Sequence, residues 1–188
     1  MLVVGLGNPG ARYVDTRHNI GFRVIDLLAE RLGVSWRERF SGRFASAELA
    51  GARVHLLQPL TYMNRSGQSV VAAARFYKVD PQEILTVHDE LDLPFATLKL
   101  KRGGGEAGHN GLRSISQQLG SRDYLRLRVG VGKPPAEFRG SGADFLLQAF
   151  APAERLALED LVRDAANAVE LVIDRGMDEA MNNVNRRV

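Results

Sequence analysis

The sequence has no cysteine. That excludes disulfides, a thiolate nucleophile and any cysteine-ligated metal, and it fits a reducing cytosol without requiring one. No apolar run approaches the roughly 20 residues that cross a bilayer. The opening Met1-Leu2-Val3-Val4-Gly5 lacks the basic head and long apolar stretch of a secretion signal and reads as a first strand. A soluble, cytoplasmic protein is expected. There is no repeat, no low-complexity tract and no linker. Three signatures are missing: Gly-Lys-Ser/Thr of a nucleotide P-loop, Gly-x-Ser-x-Gly of a serine nucleophile elbow, and His-Glu-x-x-His of a zinc hydrolase helix. A strong overall charge imbalance is missing too, since the formal net charge is only +3.

What is present describes one α/β domain over residues 1–188. Leu2-Val3-Val4 reads as a buried strand. Phe22, Ile25, Leu28, Ala29 and Leu32 recur at helical spacing, and Gly33 stands where a helix stops. Residues 43–58 read as a hairpin turning near 49–52. A helix follows Asn64, with Val70, Ala73, Ala74 and Tyr77 inward. Asp80-Pro81-Gln82-Glu83 has the cap, proline and glutamate of a short helix start. Ile84 to Val87 reads as a central strand ending at His88-Asp89. Leu98 and Leu100, then Leu125, Leu127, Val129 and Val131, alternate as two one-faced strands. Leu112, Ile115 and Leu119 mark a helix closed by Gly120. Leu158, Leu161, Val162, Ala165, Val169, Val172 and Ile173 form the stripe of a last long helix.

The local charge is less even than the total. Between residues 99 and 139 stand Lys99, Lys101, Arg102, Arg113, Arg122, Arg126, Arg128, Lys133 and Arg139, against only Glu106, Asp123 and Glu137. Such a tract is either a solvated face or a surface for an anionic partner.

Gly5, Gly7 and Gly10 match the G-x-G-x-x-G spacing of a dinucleotide turn, but the context does not. No helical stripe follows until Phe22, Pro9 removes an N–H that would hold phosphate, and Asp26 and Glu30 fall on a helix. What remains is a sharp turn presenting Asn8. The second glycine run, Arg102 to Gly111, reads as a long flexible loop leading to a helix start with His109 and Asn110.

In open α/β sheets, sites gather at the carboxyl ends of the strands. Asn8, Tyr13 and His18 follow the first strand, Gln58 to Asn64 the hairpin, His88 to Asp92 the central strand, and Asn110 the glycine loop. With no serine elbow and no thiol, a histidine is the credible reactive group. His55 lies inside a strand and reads as structural. His88 is able to pair with a neighbouring carboxylate, and His109 to cap its helix. His18 stands in an exposed, non-helical loop that packing does not explain. A histidine oriented by a carboxylate activates water, and asparagine amides bind a carbonyl or steady an oxyanion. The rival is a metal hydrolase using His88, Asp89, Glu90 and Asp92, whose spacing suits no standard helix face.

Six fragments occur in one order: Gly5-Leu6-Gly7-Asn8-Pro9-Gly10, Thr16-Arg17-His18-Asn19-Ile20-Gly21, Pro59-Leu60-Thr61-Tyr62-Met63-Asn64-Arg65-Ser66-Gly67, His88-Asp89-Glu90-Leu91-Asp92-Leu93-Pro94, Gly103-Gly104-Gly105-Glu106-Ala107-Gly108-His109-Asn110-Gly111-Leu112 and Arg126-Leu127-Arg128-Val129-Gly130-Val131-Gly132. Together they resemble the bacterial-type peptidyl-tRNA hydrolase family across nearly the whole chain. The resemblance implies one α/β domain around a mixed, twisted sheet flanked by helices. It implies an esterase that cuts the bond between a peptide and the terminal ribose of tRNA, recycling tRNA from stalled or aborted ribosomes. It further implies no metal or organic cofactor, no membrane partner and a monomer.

Carried over by motif, His18 resembles the base that activates water and Asp89 the group that keeps it basic. Asn8 resembles the residue that reads the blocked peptide end. Asn64 and Asn110 resemble substrate and water ligands, with the oxyanion donor left open between them. Tyr13 and Tyr62 match positions that contact the tRNA 3′ end. Tyr62 stands where the family often has Phe, which keeps the stacking ring. Met63 and His109 are expected to line the same cleft. Lys99, Lys101 and Arg128 resemble the cations for the tRNA 5′-phosphate and acceptor stem, which give affinity without reading sequence. Glu106 departs from the pattern by placing negative charge near the tRNA path. A non-catalytic RNA-binding module is the alternative, but binding alone does not need Asn8, His18, Asn64, Asp89 and Asn110 together.

Overall fold

A computed structural model describes residues 1–187. β1 (Leu2–Gly5) leads through two 3₁₀ turns, Ala11–Tyr13 and Arg17–Asn19, into α1 (Ile20–Arg31). β2 (Arg37–Arg39), β3 (Gly42–Leu49) and β4 (Ala52–Pro59) follow, then α2 (Ser66–Tyr77), β5 (Ile84–Glu90) and β6 (Leu98–Arg102). The chain continues through α3 (Asn110–Leu119), β7 (Leu125–Gly130), α4 (Gly142–Leu146), α5 (Pro152–Arg175) and α6 (Met177–Val184).

The strands form one mixed sheet of 7, ordered β2-β3-β4-β1-β5-β7-β6. β1 runs parallel to β4 and β5, and β5 parallel to β7, while β2, β3 and β6 make the antiparallel edges. The central strands are apolar on both faces because both are covered. Val3, Leu56, Leu85, Val87 and Leu127 bury against α1 and α5, and Leu2, Val4, Leu57 and Ile84 against α2 and α3. The mixed sheet flanked by helices is the fold the sequence implies.

Several boundaries move. α1 starts at Ile20, not Phe22, because the 3₁₀ turn of Arg17–Asn19 feeds it directly. Pro81–Glu83 makes only one 3₁₀ turn, cut short because Ile84 is already a strand residue pairing with Leu2. β5 continues through His88 and Asp89 to Glu90, so these residues sit in the sheet rather than beyond it. β2, α4 and α6 have no counterpart in the sequence reading.

Candidate active site

The site forms where α1 closes on the carboxyl ends of β1 and β5. A Cβ on Gly21 would lie 2.5 Å from the Leu6 backbone nitrogen, and one on Gly7 would lie 2.7 Å from the Phe22 ring. Glycine at these positions lets helix and sheet touch backbone to backbone. Gly5 and Gly7 of the opening motif are therefore packing positions against α1, whereas Gly10 packs on nothing and serves the turn through its positive φ. The motif sets the turn of Arg17–Asn19 over the end of β5 and Asn8 beside it.

That turn buries His18, which is only 9% exposed, contrary to the exposed loop read from the sequence. The reason is that Thr16 and Arg17 tie the turn to residues 148 and 149. His18 Nδ1 lies 2.7 Å from Asp89 Oδ1. A carboxylate only accepts, so Nδ1 carries the proton and Nε2 keeps its lone pair. His109 meets the same oxygen with Nε2 at 3.1 Å. Its Nδ1 accepts from the Gly111 and Leu112 backbone N–H groups at 3.1 and 3.3 Å, capping α3. Both rings thus donate to one carboxylate oxygen, and their centroids lie 5.1 Å apart.

Burial alone would lower the pKa of His18, but the charge and hydrogen bond of Asp89 outweigh it and hold the pKa above 6.5. Asp89 is itself buried, which favours the acid, yet the two histidines keep it well below the usual carboxylate range. His88 points to the other face of the sheet. Its Nδ1 donates to the Asp89 carbonyl oxygen at 2.7 Å, not to a carboxylate side chain, and burial pushes its pKa down to about 3. His55 sits in β4 with Nδ1 2.8 Å from Ser46 Oγ, stacked on Tyr77.

Asn8 is buried and held from two sides. Its backbone N–H donates to Asn19 Oδ1 and its carbonyl accepts from Asn19 Nδ2, each at 2.9 Å. Its Oδ1 accepts from the Met63 backbone N–H at 2.8 Å, which leaves the Nδ2 hydrogens for a ligand. Asn110 is oriented likewise, with Oδ1 accepting from Arg113 at 2.7 Å. Asn19 and Arg113 are supports that the sequence reading missed. Asn19 had a signal, since it stands in the Thr16–Gly21 fragment.

These groups line a cavity of about 400 Å³. Asn8, His18, Met63, Asn64, Asp89, His109 and Asn110 all face it, and Tyr62, 56% exposed, stands at its mouth. Leu91, Ala143, Leu146 and Leu147 form an apolar wall. Tyr13 is not among the lining residues; its ring lies under the Arg12 guanidinium, 4.6 Å from the centroid.

Lys99 and Arg128 are cross-strand partners on one face of β6 and β7, with Lys101 one repeat along. All three lie outside the cavity. Arg128 Nε donates to Glu90 Oε2 at 2.8 Å. Among the described residues, Lys99 and Lys101 have no carboxylate partner. The rest of the basic tract is largely spoken for. Arg102 pairs with Asp178, Lys133 with Asp92 and Arg122 with Glu106. Arg126 is buried, its two terminal nitrogens bonded to the Gly105 and Gly104 carbonyls at 2.6 and 2.7 Å. The glycine loop read as flexible is therefore pinned by a buried guanidinium, and the charge of Glu106 is met by Arg122.

The metal reading does not survive in its original form. His88 packs its ring on that of His109, 5.1 Å between centroids, with Nδ1 spent on the Asp89 carbonyl, and Asp92 pairs with Lys133, so among the described residues His88, Asp89, Glu90 and Asp92 do not bring ligand atoms together. Among the described residues, His18, Asp89 and His109 do bring ligand atoms within 4.8 Å. The cap at His109 Nδ1 keeps the proton on Nε2, so the lone pair a cation needs does not face that point.

The family described as Peptidyl-tRNA hydrolase matches this chain over residues 2–188. A peptidyl-tRNA hydrolase of Sorangium cellulosum is 53% identical over 188 residues, covering 100% of this chain and 84% of its own length. One from Nocardia farcinica is 52% identical over 186 residues, covering 98% of this chain and 95% of itself. A crystal structure of peptidyl-tRNA hydrolase from Acinetobacter baumannii superposes with a TM-score of 0.90 at 40% identity, covering 98% of this chain and 93% of that one.

Proposed function

The chain belongs to the peptidyl-tRNA hydrolase family, and on that premise we propose that it frees tRNA by hydrolysing the ester between an N-blocked peptide and the terminal ribose. It is a hydrolase acting on ester bonds. The observation that carries the finer reading is the single oxygen of Asp89 that orients His18 and leaves its Nε2 lone pair at the cavity.

His18 Nε2 takes a proton from water as that water attacks the ester carbonyl. The imidazolium formed is stabilised by Asp89. The carbonyl oxygen becomes an oxyanion, which neutral amide N–H groups stabilise where the charge develops. Asn110, its own oxygen taken by Arg113, supplies such a donor, with Asn64 beside it. Collapse expels the ribose oxygen, which recovers the proton from the imidazolium. No atom of the protein is consumed.

Asn8 Nδ2 reads the carbonyl of the blocked amine. A free aminoacyl group has no such carbonyl and would bring a charged ammonium to a donor. Tyr62 stacks on the 3′ end, and the Leu146 side of the cavity takes the peptide. Lys99, Lys101 and Arg128 take the acceptor stem and 5′-phosphate. The substrate is peptidyl-tRNA released by or trapped on stalled ribosomes, and the enzyme acts as a cytoplasmic monomer.

The test is release of tRNA from N-acetyl-aminoacyl-tRNA and from unblocked aminoacyl-tRNA, with EDTA present. Cleavage of the blocked substrate alone is expected. Equal cleavage of both would remove the role of Asn8, and loss of activity in EDTA would restore a metal.

A further inference from the structure

Arg17 is a full cation with only 4% of its surface exposed, next in chain to His18 and without contact to the cavity. Its Nη2 donates to Glu154 Oε2 at 2.6 Å, and its Nη1 to the Ala149 carbonyl at 2.7 Å. The guanidinium lies against two rings, 4.0 Å from the Phe145 centroid and 5.3 Å from that of Phe150. Its own backbone N–H donates to the Gln148 carbonyl at 3.0 Å. The same Glu154 oxygen accepts from the Ala151 N–H at 2.6 Å, closing the first turn of α5.

An ion pair with its cation this buried is poor evidence of stability, because desolvating Arg17 offsets much of its attraction to the half-buried Glu154. Its geometry is better explained by position. The fork of Arg17 joins the turn carrying His18 to the α4–α5 corner, and Leu146 and Leu147 of that corner line the cavity opposite. Lysine has one point of charge and no plane, so it cannot hold the carbonyl, the carboxylate and both rings at once.

We propose that Arg17 is a positioning residue that, through Glu154 and the 148–150 backbone, holds His18 at Asp89 and in register with the apolar wall. The effect on turnover rests on the esterase reading above; the effect on the His18–Asp89 bond does not.

The experiment compares wild type with Arg17→Lys and with Arg17→Met/Glu154→Leu, which replaces the pair by apolar side chains of similar volume. One readout is kcat and KM on N-acetyl-aminoacyl-tRNA. The other is the His18 Nδ1–H resonance in ¹⁵N-histidine protein, assigned by its absence in His18→Gln. Both variants are expected to fold. The double variant is expected to lose roughly 10- to 100-fold in kcat, the scale of a misplaced group about 1 Å off, with KM unchanged. Arg17→Lys is expected to recover part of that loss. The Nδ1–H signal is expected to broaden or vanish by exchange with water in the double variant. A folded double variant with wild-type kcat and an intact signal would overturn the proposal. So would a lower Tm with neither readout moved. If wild type does not cleave the substrate, the esterase reading fails and the resonance still decides whether Arg17 positions His18.

Discussion

One oxygen, Asp89 Oδ1, accepts hydrogen bonds from the His18 Nδ1–H and the His109 Nε2–H. Each bond fixes a tautomer, and the two have different consequences. His18 is left a base at the cavity, whereas His109 spends its other nitrogen on the end of α3. The raised pKa of His18 sets a pH dependence. A base must be unprotonated, so kcat/KM is expected to rise with pH, to first order, through a midpoint above 6.5. A profile measured on the blocked substrate checks this, and a midpoint well below that value would detach His18 from Asp89. Stability is linked the opposite way. The His18 contribution is complete below 6.5 and lost as pH rises through the raised pKa, whereas that of Asp89 is present above 3.8 and lost in acid.

At the scale of elements, the cavity sits at the carboxyl ends of the central strands β1 and β5, and Lys99 and Lys101 sit on an edge strand. β6 is an edge strand whose Leu98 and Leu100 turn inward and whose Lys99 and Lys101 turn out. Asn185 fastens it, its amide accepting from the Leu100 N–H at 2.8 Å and donating to the Leu100 carbonyl at 3.0 Å. Lys101→Ala is expected to raise KM, leave kcat unchanged, and flatten the dependence of log KM on log salt by about 0.7–0.9, the share of one phosphate contact. A KM series over salt checks it, and an unchanged slope would return the strand face to plain solvation. The long elements were legible in the sequence because their periodicity is strong, as in α5 and β7. β2 was not: Arg37, Glu38 and Arg39 are all exposed and carry no pattern. α4 is 5 residues long, and α6 buries only Met177 and Ala180. The site was legible as a shortlist of side chains. Most of their supports were not, because Arg17, Asn19 and Arg126 act through contacts distant in sequence; Arg113, only one helical turn from Asn110, is an ordinary surface arginine by sequence. Arg126 was miscounted for the same reason, since nothing local distinguishes a buried guanidinium from a surface one.

Across the whole molecule, a net charge of +3 hides a division of labour. Among the described residues most cations of the 99–139 tract are tied to carboxylates or carbonyls; Lys99 and Lys101, which are not, share one face of β6, while Arg139, also without a carboxylate partner, lies apart before α4. The apolar wall lines the cavity together with His18, Asn8 and Asn110, and the lysine face lies outside it. A substrate with an anionic arm and a peptide arm, joined at an ester, fits that arrangement with the ester at His18. Among the described residues no helix is long and apolar enough to cross a membrane. The central claim is that His18 performs the chemistry while the rest of the surface binds. Single-turnover cleavage of N-acetyl-aminoacyl-tRNA by His18→Asn, with RNA affinity measured on the same preparation, tests it most directly. The account predicts a loss of roughly 10²–10⁴-fold in rate with affinity unchanged. Cleavage within a few-fold of wild type would contradict it.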